Sequence, residues 1–436
     1  MSLVGLLVAF HLSATPLTLE EVRTASRQNL DAIRAELDVT KAHEGVRIAR
    51  SSILPQVNLS LNAGGTFFGP QQVLTTTGTN GVFAQSSVDV PAYNQGDYKV
   101  SLTVSQLLYD GGKWWNQIAQ SGAQEEAAKG QLAEQQLASE LEAVRRFYEL
   151  VKAQLTMEVL KATVVRSREQ LDRARSLFEA GRGTRSAIFD SMSNLGNDEI
   201  NVVRQRQTIA VARLALLQWL GQPDADVEAM PPGDLDAPVV VPEVVNALEL
   251  AKNHRPLVRA LQENVRAADL GVQLGWANHL PTISANAGYL RSSSRADPFF
   301  TDPTKQNALQ VGATLKLNLF SGLNFDAQIA QAQVEARRAR AQQRQSLIDL
   351  EAELRRTHSA LAVETQVLGM SQANQHVAEE QLRLEEERFS AGAGSSLEVR
   401  NAQIKFTQAQ LAVLSGRADV AVARAALDRT IGGVVQ

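Results

Sequence analysis

The chain carries two copies of one pattern, and this duplication constrains its fold more than any other feature. VRIARSSILP at 46–55 has its counterpart in VQLGWANHLP at 272–281, 226 residues later. Further on, Tyr109 and Gly181 have their counterparts in Phe320 and Gly392, each 211 residues later. Each half is therefore predicted to build the same elements, arranged with internal pseudo-symmetry.

Four segments alternate between apolar and polar residues, with the period of two that half-buried strands require. Strands are predicted at 56–67, 98–109, 282–290 and 308–319. In the first, Val57, Leu59 and Leu61 alternate with polar residues, and Pro55 and Pro281 each precede the first strand of a pair. The strands are predicted to pair as two hairpins, with polar connections at 68–96 and 291–307.

Long apolar periodicities predict helices around these strands. The helices are expected at 18–52, 113–178, 184–220, 243–278, 323–389 and 395–431. Leu347, Leu354, Leu361 and Leu368 follow one another at intervals of seven, which is typical of a coiled-coil seam. The longest helices should each extend on the order of 100 Å. A proline-rich linker at 222–242 is predicted to join a first structural repeat, 15–221, to a second, 243–432.

Composition excludes several classes of function. The net charge of −4 gives no indication of nucleic-acid binding, and the absence of cysteine excludes disulfides, Cys-ligated metals and a Cys nucleophile. The six histidines are scattered, and we predict no catalytic residue, cofactor or metal site. The apolar run at 3–12 suggests a signal peptide over 1–14, although a buried strand or helix is the alternative.

Aromatic residues concentrate around the predicted strands. Thirteen of the 22 aromatics lie in 67–115 or 289–325, as expected at the ends of outer-membrane strands. A soluble sandwich, or a sheet capping a helical bundle, is the alternative from the strands alone. A sheet in lipid must have no open edge, and four strands are too few to close. A barrel would therefore be shared between chains, with 8 strands from two chains or 12 from three, and the polar face favours the wider barrel.

The order and spacing of these motifs identify a family. The chain resembles the TolC-like outer-membrane efflux family over essentially its whole length after the leader. The resemblance depends on the two repeats, the Pro-led strands, the strand-to-helix motifs LYDGG at 108–112 and LFSG at 319–322, and the helical turns around Gly181 and Gly392.

The resemblance implies a mainly α fold with a membrane β-barrel. It predicts a homotrimer whose 12-stranded barrel in the outer membrane is continuous with a 12-helix periplasmic α-barrel. It also implies a passive exit duct, serving tripartite efflux or type I secretion, that contacts outer-membrane lipid, a periplasmic adaptor and an inner-membrane pump. The alternatives are a periplasmic coiled-coil adaptor or scaffold that never inserts, and an enzyme, for which no catalytic pattern is present.

The two helical turns resemble the periplasmic tips where adaptors dock in this family. The docking residues would be Ala180, Gly181, Arg182, Ala391, Gly392 and Ala393. The glycines also have a purely structural interpretation, because a left-handed residue commonly ends a helix.

A constriction is predicted just beyond the second turn. Glu398 and Asn401 share one helical face and match positions that carry a pair of aspartates in close relatives. Asp190 is the first-repeat equivalent of Asn401, and Arg182 and Arg185 are candidate partners for closing contacts. The alternative is that Glu398 is a solvated surface residue on a coiled coil.

Overall fold

A computed structural model describes residues 16–79, 82–223, 225, 227–233, 241–295 and 307–433. The signal peptide predicted over 1–14 lies outside these residues. Eight helices occupy the described ranges: α1 (Leu19–Ser26), α2 (Leu30–Ser51), α3 (Lys113–Glu179), α4 (Arg185–Trp219), α5 (Val244–His254), α6 (Pro256–Ala277), α7 (Asn324–Ser390) and α8 (Ser396–Ile431). Within the described chain, no helix has both the length and the apolar character needed to cross a membrane.

The strands within the described residues form three sheets. They are β1 (Pro16–Leu17), β2 (Gln56–Phe68), β3 (Gln71–Thr79), β4 (Val82–Val90), β5 (Tyr93–Tyr109), β6 (Glu228–Ala229), β7 (Thr282–Ser293) and β8 (Asn307–Lys316). The main sheet has the antiparallel order β2-β5-β7-β8, so a β5–β7 ladder joins the two predicted hairpins. The strands β3 and β4 pair with each other, and β1 pairs in parallel with β6.

Two helices predicted as continuous are each divided in two. The predicted helix 18–52 is interrupted because the Asn29 side chain accepts a hydrogen bond from the Ala32 amide (2.8 Å), which starts a new helix. The predicted helix 243–278 is interrupted at Arg255, whose backbone is extended (ψ 123°). Pro256 is responsible, because a proline disfavours the helical conformation of the residue before it.

Four further predictions about strands need correction. The connection predicted over 68–96 contains β3 and β4, and the predicted linker at 222–242 contains β6. The predicted strand 308–319 ends at Lys316, which pairs with Thr282; the next residue of the partner strand is Pro281, which has no N–H to extend the ladder. Strand β5 begins at Tyr93 rather than at residue 98, because the Tyr93 ring stacks on that of Phe68 at 4.9 Å.

The chain divides into two compact units. One contains the described parts of 1–40, 126–263 and 340–436. Its largest apolar core joins α3, α4 and α8 around Phe147, Leu150 and Leu216, which are fully buried. The other contains the described parts of 41–125 and 264–339, and it holds the main sheet.

Candidate functional site

One face of the main sheet is largely apolar. The registers align the strands so that apolar residues form rows across all four of them. One row is Leu59, Leu102, Tyr289 and Leu309, and the next is Val57, Val104, Ala287 and Val311. This alignment follows from strict alternation, because a shift of one residue would move an entire strand's apolar set to the other face.

No described part of the chain covers the apolar face. Leu61 is 72% exposed, Leu309 76% and Val311 78%. Exposed apolar surface of this extent marks contact with a partner or a membrane. The opposite face is polar: Ser60 and Ser101 face each other across β2 and β5, with hydroxyl oxygens 2.6 Å apart.

The main sheet has two free edges among the described strands. Strand β2 lies at one edge and β8 at the other, and each has one neighbour in the sheet. A free edge presents a row of unpaired backbone N–H and C=O groups that can pair with another chain. The sheet therefore supplies an apolar face, a polar face and two edges able to pair.

The two predicted tips have the same backbone construction. Gly181 (φ 71°) and Gly392 (φ 75°) are left-handed and end α3 and α7. At the first tip, the Arg182 amide donates to the Leu177 carbonyl (2.8 Å) and the Gly181 amide to the Phe178 carbonyl (2.9 Å). The Ala393 and Gly392 amides donate in the same pattern at the second tip, to residues 388 and 389. Both are Schellman motifs, which satisfy the terminal carbonyls of a helix.

A second glycine in each tip was missed by the sequence reasoning. A Cβ on Gly183 would lie 2.8 Å from the Phe178 nitrogen, and one on Gly394 would lie 3.2 Å from the Phe389 nitrogen. The signal was present in the sequence, since both tips contain Phe-x-Ala-Gly-x-Gly followed by Thr or Ser. The residue after the second glycine is the N-cap of the next helix in both cases.

Glu398 forms part of the N-cap of α8. Its carboxylate accepts hydrogen bonds from the Ser395 amide (2.7 Å) and hydroxyl (3.1 Å), and its own amide donates to the Ser395 hydroxyl oxygen (3.3 Å). These bonds form a capping box. The hydrogen bond from the Ser395 amide, followed by that from its hydroxyl, lowers the pKa of Glu398 below its ordinary value of 4.5. Glu398 is thus charged at neutral pH and exposed.

The other predicted constriction residues are exposed and are not joined by ion pairs in this chain. Asp190 accepts a hydrogen bond from the Ser186 hydroxyl (3.4 Å), and the Arg185 guanidinium lies 5.7 Å from the centre of the Phe189 ring. Asn401 and Arg182 are exposed. Among the described residues, no ion pair connects either arginine to Glu398 or Asp190.

A buried ion pair near the tips was not predicted. Arg400 of α8 donates two hydrogen bonds to the Asp198 carboxylate of α4, at 2.8 and 3.0 Å, and the Ser167 hydroxyl of α3 also donates to it at 2.5 Å. The side chains are 13% and 8% exposed, respectively. No sequence pattern indicates this pair, because the partners are 202 residues apart on helices with many solvated charges.

A second buried charge cluster joins four segments of the same unit. Arg255 is 3% exposed and donates to Glu134 (2.9 Å) and Glu353 (2.8 Å), and Arg429 also donates to Glu134 (3.0 Å). The cluster contains two cations and two anions, so its charges balance. Buried charges are tolerated when they are paired in this way. It is a structural junction between α3, α7, α8 and the start of α6.

Comparison with known proteins identifies the family. The profile of a family described as "Outer membrane efflux protein" matches residues 22–222 and 247–433, which together cover most of the chain. The chain belongs to the outer membrane efflux protein family. The family consists of channel proteins of the outer membrane. The two matched segments, 22–222 and 247–433, coincide with the two repeats seen in the sequence.

Curated relatives extend over most of the chain. It is 25% identical over 404 residues to "Outer membrane efflux protein BepC" of Brucella suis, covering 89% of this chain and 79% of that protein. It is 23% identical over 398 residues to "Proteases secretion protein PrtF" of Dickeya chrysanthemi, covering 88% and 81%. These relatives favour an outer-membrane duct over the alternative of a periplasmic adaptor.

Solved structures show the same fold. The chain superposes on CusC with a TM-score of 0.77 and 16% identity, covering 95% of this chain and 92% of that one. VceC from Vibrio cholerae gives a TM-score of 0.74 at 16% identity, covering 96% and 97%. The predicted fold class, long helices and a four-stranded sheet in a duplicated chain, is therefore confirmed.

Proposed function

We propose that this protein is the exit duct of a tripartite efflux or type I secretion system, working as a homotrimer in the outer membrane. It would pass small molecules or proteins outward without catalysis. The observation that carries the proposal is the main sheet, with its uncovered apolar face, polar opposite face and two unpaired edges. This combination suits a protein whose sheet becomes a closed barrel only together with other copies.

The physics of a bilayer supports closure between chains. Backbone groups exposed to hydrocarbon find no water, so the free edges of β2 and β8 must pair before the apolar face can contact lipid. Pairing β2 of one copy with β8 of the next gives a ring of four strands per chain. Three copies supply 12 strands, which leave an aqueous interior lined by the polar face, whereas eight strands would be filled by side chains. The 12 long helices of a trimer would form the periplasmic α-barrel.

The tips are proposed as the docking surface for a periplasmic adaptor, which in turn contacts an inner-membrane pump. Ala180, Gly181 and Arg182 at one tip, and Ala391, Gly392 and Ala393 at the other, are all exposed. Their shared Schellman geometry supports this proposal, because six equivalent tips in a trimer would present one repeating shape to a partner.

The constriction is proposed to lie next to the second tip. Three copies would bring three Glu398 carboxylates together, and such rings attract cations. Asn401 and Asp190 would lie near this ring, with Arg182 and Arg185 available for contacts between copies. Because Glu398 also caps α8, any test must separate its charge from its structural role.

Conductance across a planar bilayer tests the duct and the constriction together. Wild-type protein should form trimers in detergent and conduct ions, whereas a non-inserting scaffold would give no channels. Glu398→Gln removes the charge but keeps an oxygen for the cap, and Ser395→Ala weakens the cap but keeps the charge. A change in conductance or cation selectivity in Glu398→Gln, with little change in Ser395→Ala, would support the charged ring; the same change in both variants would refute it. Asp190→Ala should also raise conductance if Asp190 contributes.

A further inference from the structure

The polar face of the main sheet carries very few charges. Among the described residues of its four strands, three charged side chains lie on this face: Asp97, Lys99 and Lys316. Most of the other residues on the face are hydroxyl, amide or glycine residues, such as Asn58 and Ser105. Any charge on this face that is not neutralised by a neighbour therefore determines its electrostatic potential.

Lys316 is the last residue of β8, and the strand geometry fixes the face on which it lies. It pairs in register with Thr282, whose hydroxyl donates to the Lys316 carbonyl (3.4 Å). Two residues earlier, Thr314 lies on the same face and pairs with Ser284. The intervening Leu315 belongs to the apolar face and is 65% exposed. Lys316 is therefore an exposed cation on the polar face, at the end of the sheet that α7 follows.

The other two charges on the polar face neutralise each other. The Lys99 Nζ lies 3.0 Å from an Asp97 carboxylate oxygen. Lys99 pairs with Ser292, which is ten residues beyond Thr282 on β7 (292 − 282 = 10), so it lies about 33 Å from Lys316 along the strands. That distance is several times the screening length of about 8 Å at physiological salt. Within the described chain, Lys316 has no ion-pair partner, so the face carries one unpaired positive charge.

This charge departs from the symmetry of the two repeats. The residue 211 positions before Lys316 is Ser105, so only the second repeat supplies a cation at this level. Three copies in the proposed trimer would bring three Lys316 side chains into the lumen, at one end of the barrel. Lipid on the other side of the barrel wall has a low dielectric constant, which focuses the field of these charges into the lumen. Rings of lysine or arginine are used in this way by pores that favour anions.

We propose that Lys316 makes the barrel lumen favour anionic cargo, meaning organic solutes that carry carboxylate, sulfonate or phosphate groups. This rests on the proposed function, because it requires the polar face to line the lumen of a trimer. An ammonium on a flexible stem is a strongly hydrated point charge. It attracts anions without holding them in a fixed geometry, and weak binding of that kind allows a solute to leave again. Lys316 is thus a residue that determines specificity.

The selectivity of the whole channel would be an indirect test, because the proposed Glu398 ring acts on the same current. A local test uses Thr314→Cys as a reporter in a chain that has no other cysteine. Thr314 lies about 7 Å from Lys316 along β8. The reporter is treated, in purified trimers, with an anionic sulfonatoethyl and a cationic trimethylammonium-ethyl thiosulfonate reagent, and the two reaction rates are measured by mass spectrometry. Their ratio cancels any effect on the thiol itself.

The ratio of the anionic to the cationic rate should fall by about fivefold or more when Lys316→Gln is added, and Lys316→Arg should preserve it. A lone solvated lysine at this distance would change the ratio by only about twofold, so a change of twofold or less would refute the ring. Salt at 1 M should remove most of the difference. Ser60→Cys is the control reporter. Its level lies eight residues from Thr282 along β7, or about 26 Å, so Lys316→Gln should leave its ratio unchanged.

Block of single-channel current shows whether the charge acts on an organic anion. Pyrenetetrasulfonate, added on the side that the strand connections at 68–96 and 291–307 face, should block wild type at roughly tenfold lower concentration than Lys316→Gln. Asp97→Asn combined with Lys99→Gln is the matched control. It removes one charge of each sign from the same face, so block should not change.

The outcomes separate this inference from the proposed function. If wild-type protein conducts but neither the rate ratio nor the block responds to Lys316→Gln, only the inference about anionic cargo fails. If wild-type protein neither forms trimers nor conducts, the proposed function itself fails.

Discussion

The buried Arg400–Asp198 pair makes a quantitative prediction about the unit that carries the tips. Asp198→Asn keeps the size of the side chain but leaves the Arg400 guanidinium without its counter-charge. Breaking a buried pair from one side costs about 3–5 kcal/mol, since the remaining charge stays desolvated. Both side chains are well under one-third exposed, so little of this cost should be screened by solvent.

A matched control lies next to it in the sequence. Glu199 of α4 pairs with Arg168 of α3 at 3.2 Å, but these side chains are 51% and 64% exposed. An exposed pair of this kind contributes about 0–1 kcal/mol, so Glu199→Gln should have little effect. The two variants each remove one carboxylate charge from neighbouring positions of the same helix, and they differ chiefly in burial.

Thermal unfolding in detergent, followed by far-ultraviolet circular dichroism, measures the difference. At about 2 °C per kcal/mol for a unit of this size, Asp198→Asn should lower the apparent Tm by roughly 6 °C or more, and Glu199→Gln by less than about 2 °C. Replacing Asp198 and Arg400 together by leucine should recover most of the loss, because no unpaired charge is then buried. Equal shifts in the two single variants would refute the reasoning.

Three further predictions concern the turns and the cap. Gly183→Ala should destabilise the first tip more than Gly394→Ala destabilises the second. The new Cβ would lie 2.8 Å from a backbone nitrogen at the first tip and 3.2 Å from one at the second. The rate of proteolysis at each tip reports the difference. Leu323 has a left-handed backbone (φ 66°) where the first repeat has Gly112, so Leu323→Gly should raise the apparent Tm through relief of about 1 kcal/mol of strain, and Gly112→Leu should lower it. Hydrogen bonding lowers the pKa of Glu398. The stability that the charged Glu398 carboxylate contributes is therefore complete above the ordinary carboxyl pKa range. It is lost as the pH falls through the lowered pKa of Glu398. The Tm difference between wild type and Glu398→Ala should therefore disappear in acid, and a difference independent of pH would contradict this.

The parts of the fold that could be predicted are those encoded by local periodicity. Alternation over 56–67 and the seven-residue spacing from Leu347 to Leu368 each identify an element without reference to distant residues. The interruption of the helix at Arg255 could also have been predicted, since Pro256 follows it. The strong apolar periodicity on both sides of this position favoured one continuous helix instead. The strands within 68–96 were missed because their polar residues resemble those of a loop.

The remaining features depend on contacts between distant segments. Asp198 and Arg400 look like ordinary coiled-coil charges until α4 and α8 are packed together. Similarly, Glu398 was predicted from its position as a constriction residue, while the structure adds its bonds to Ser395. Alternation excludes a shift of one residue but not of two, so the pairing of Leu59 with Leu102 also required the structure.

The central claim is that β2 of one copy pairs with β8 of the next to close a ring of three. The chain has no cysteine, so introduced pairs report contacts without interference. Leu59→Cys in β2 can be combined in turn with Leu309→Cys, Val311→Cys or Ala313→Cys in β8, followed by oxidation of the protein in membranes. Disulfides form only when Cα atoms lie within about 7 Å, so one register should react in preference to the others. The account predicts a cross-linked ladder that ends at three times the chain mass; a ladder that ends at two, or no cross-linking in any register, would contradict it.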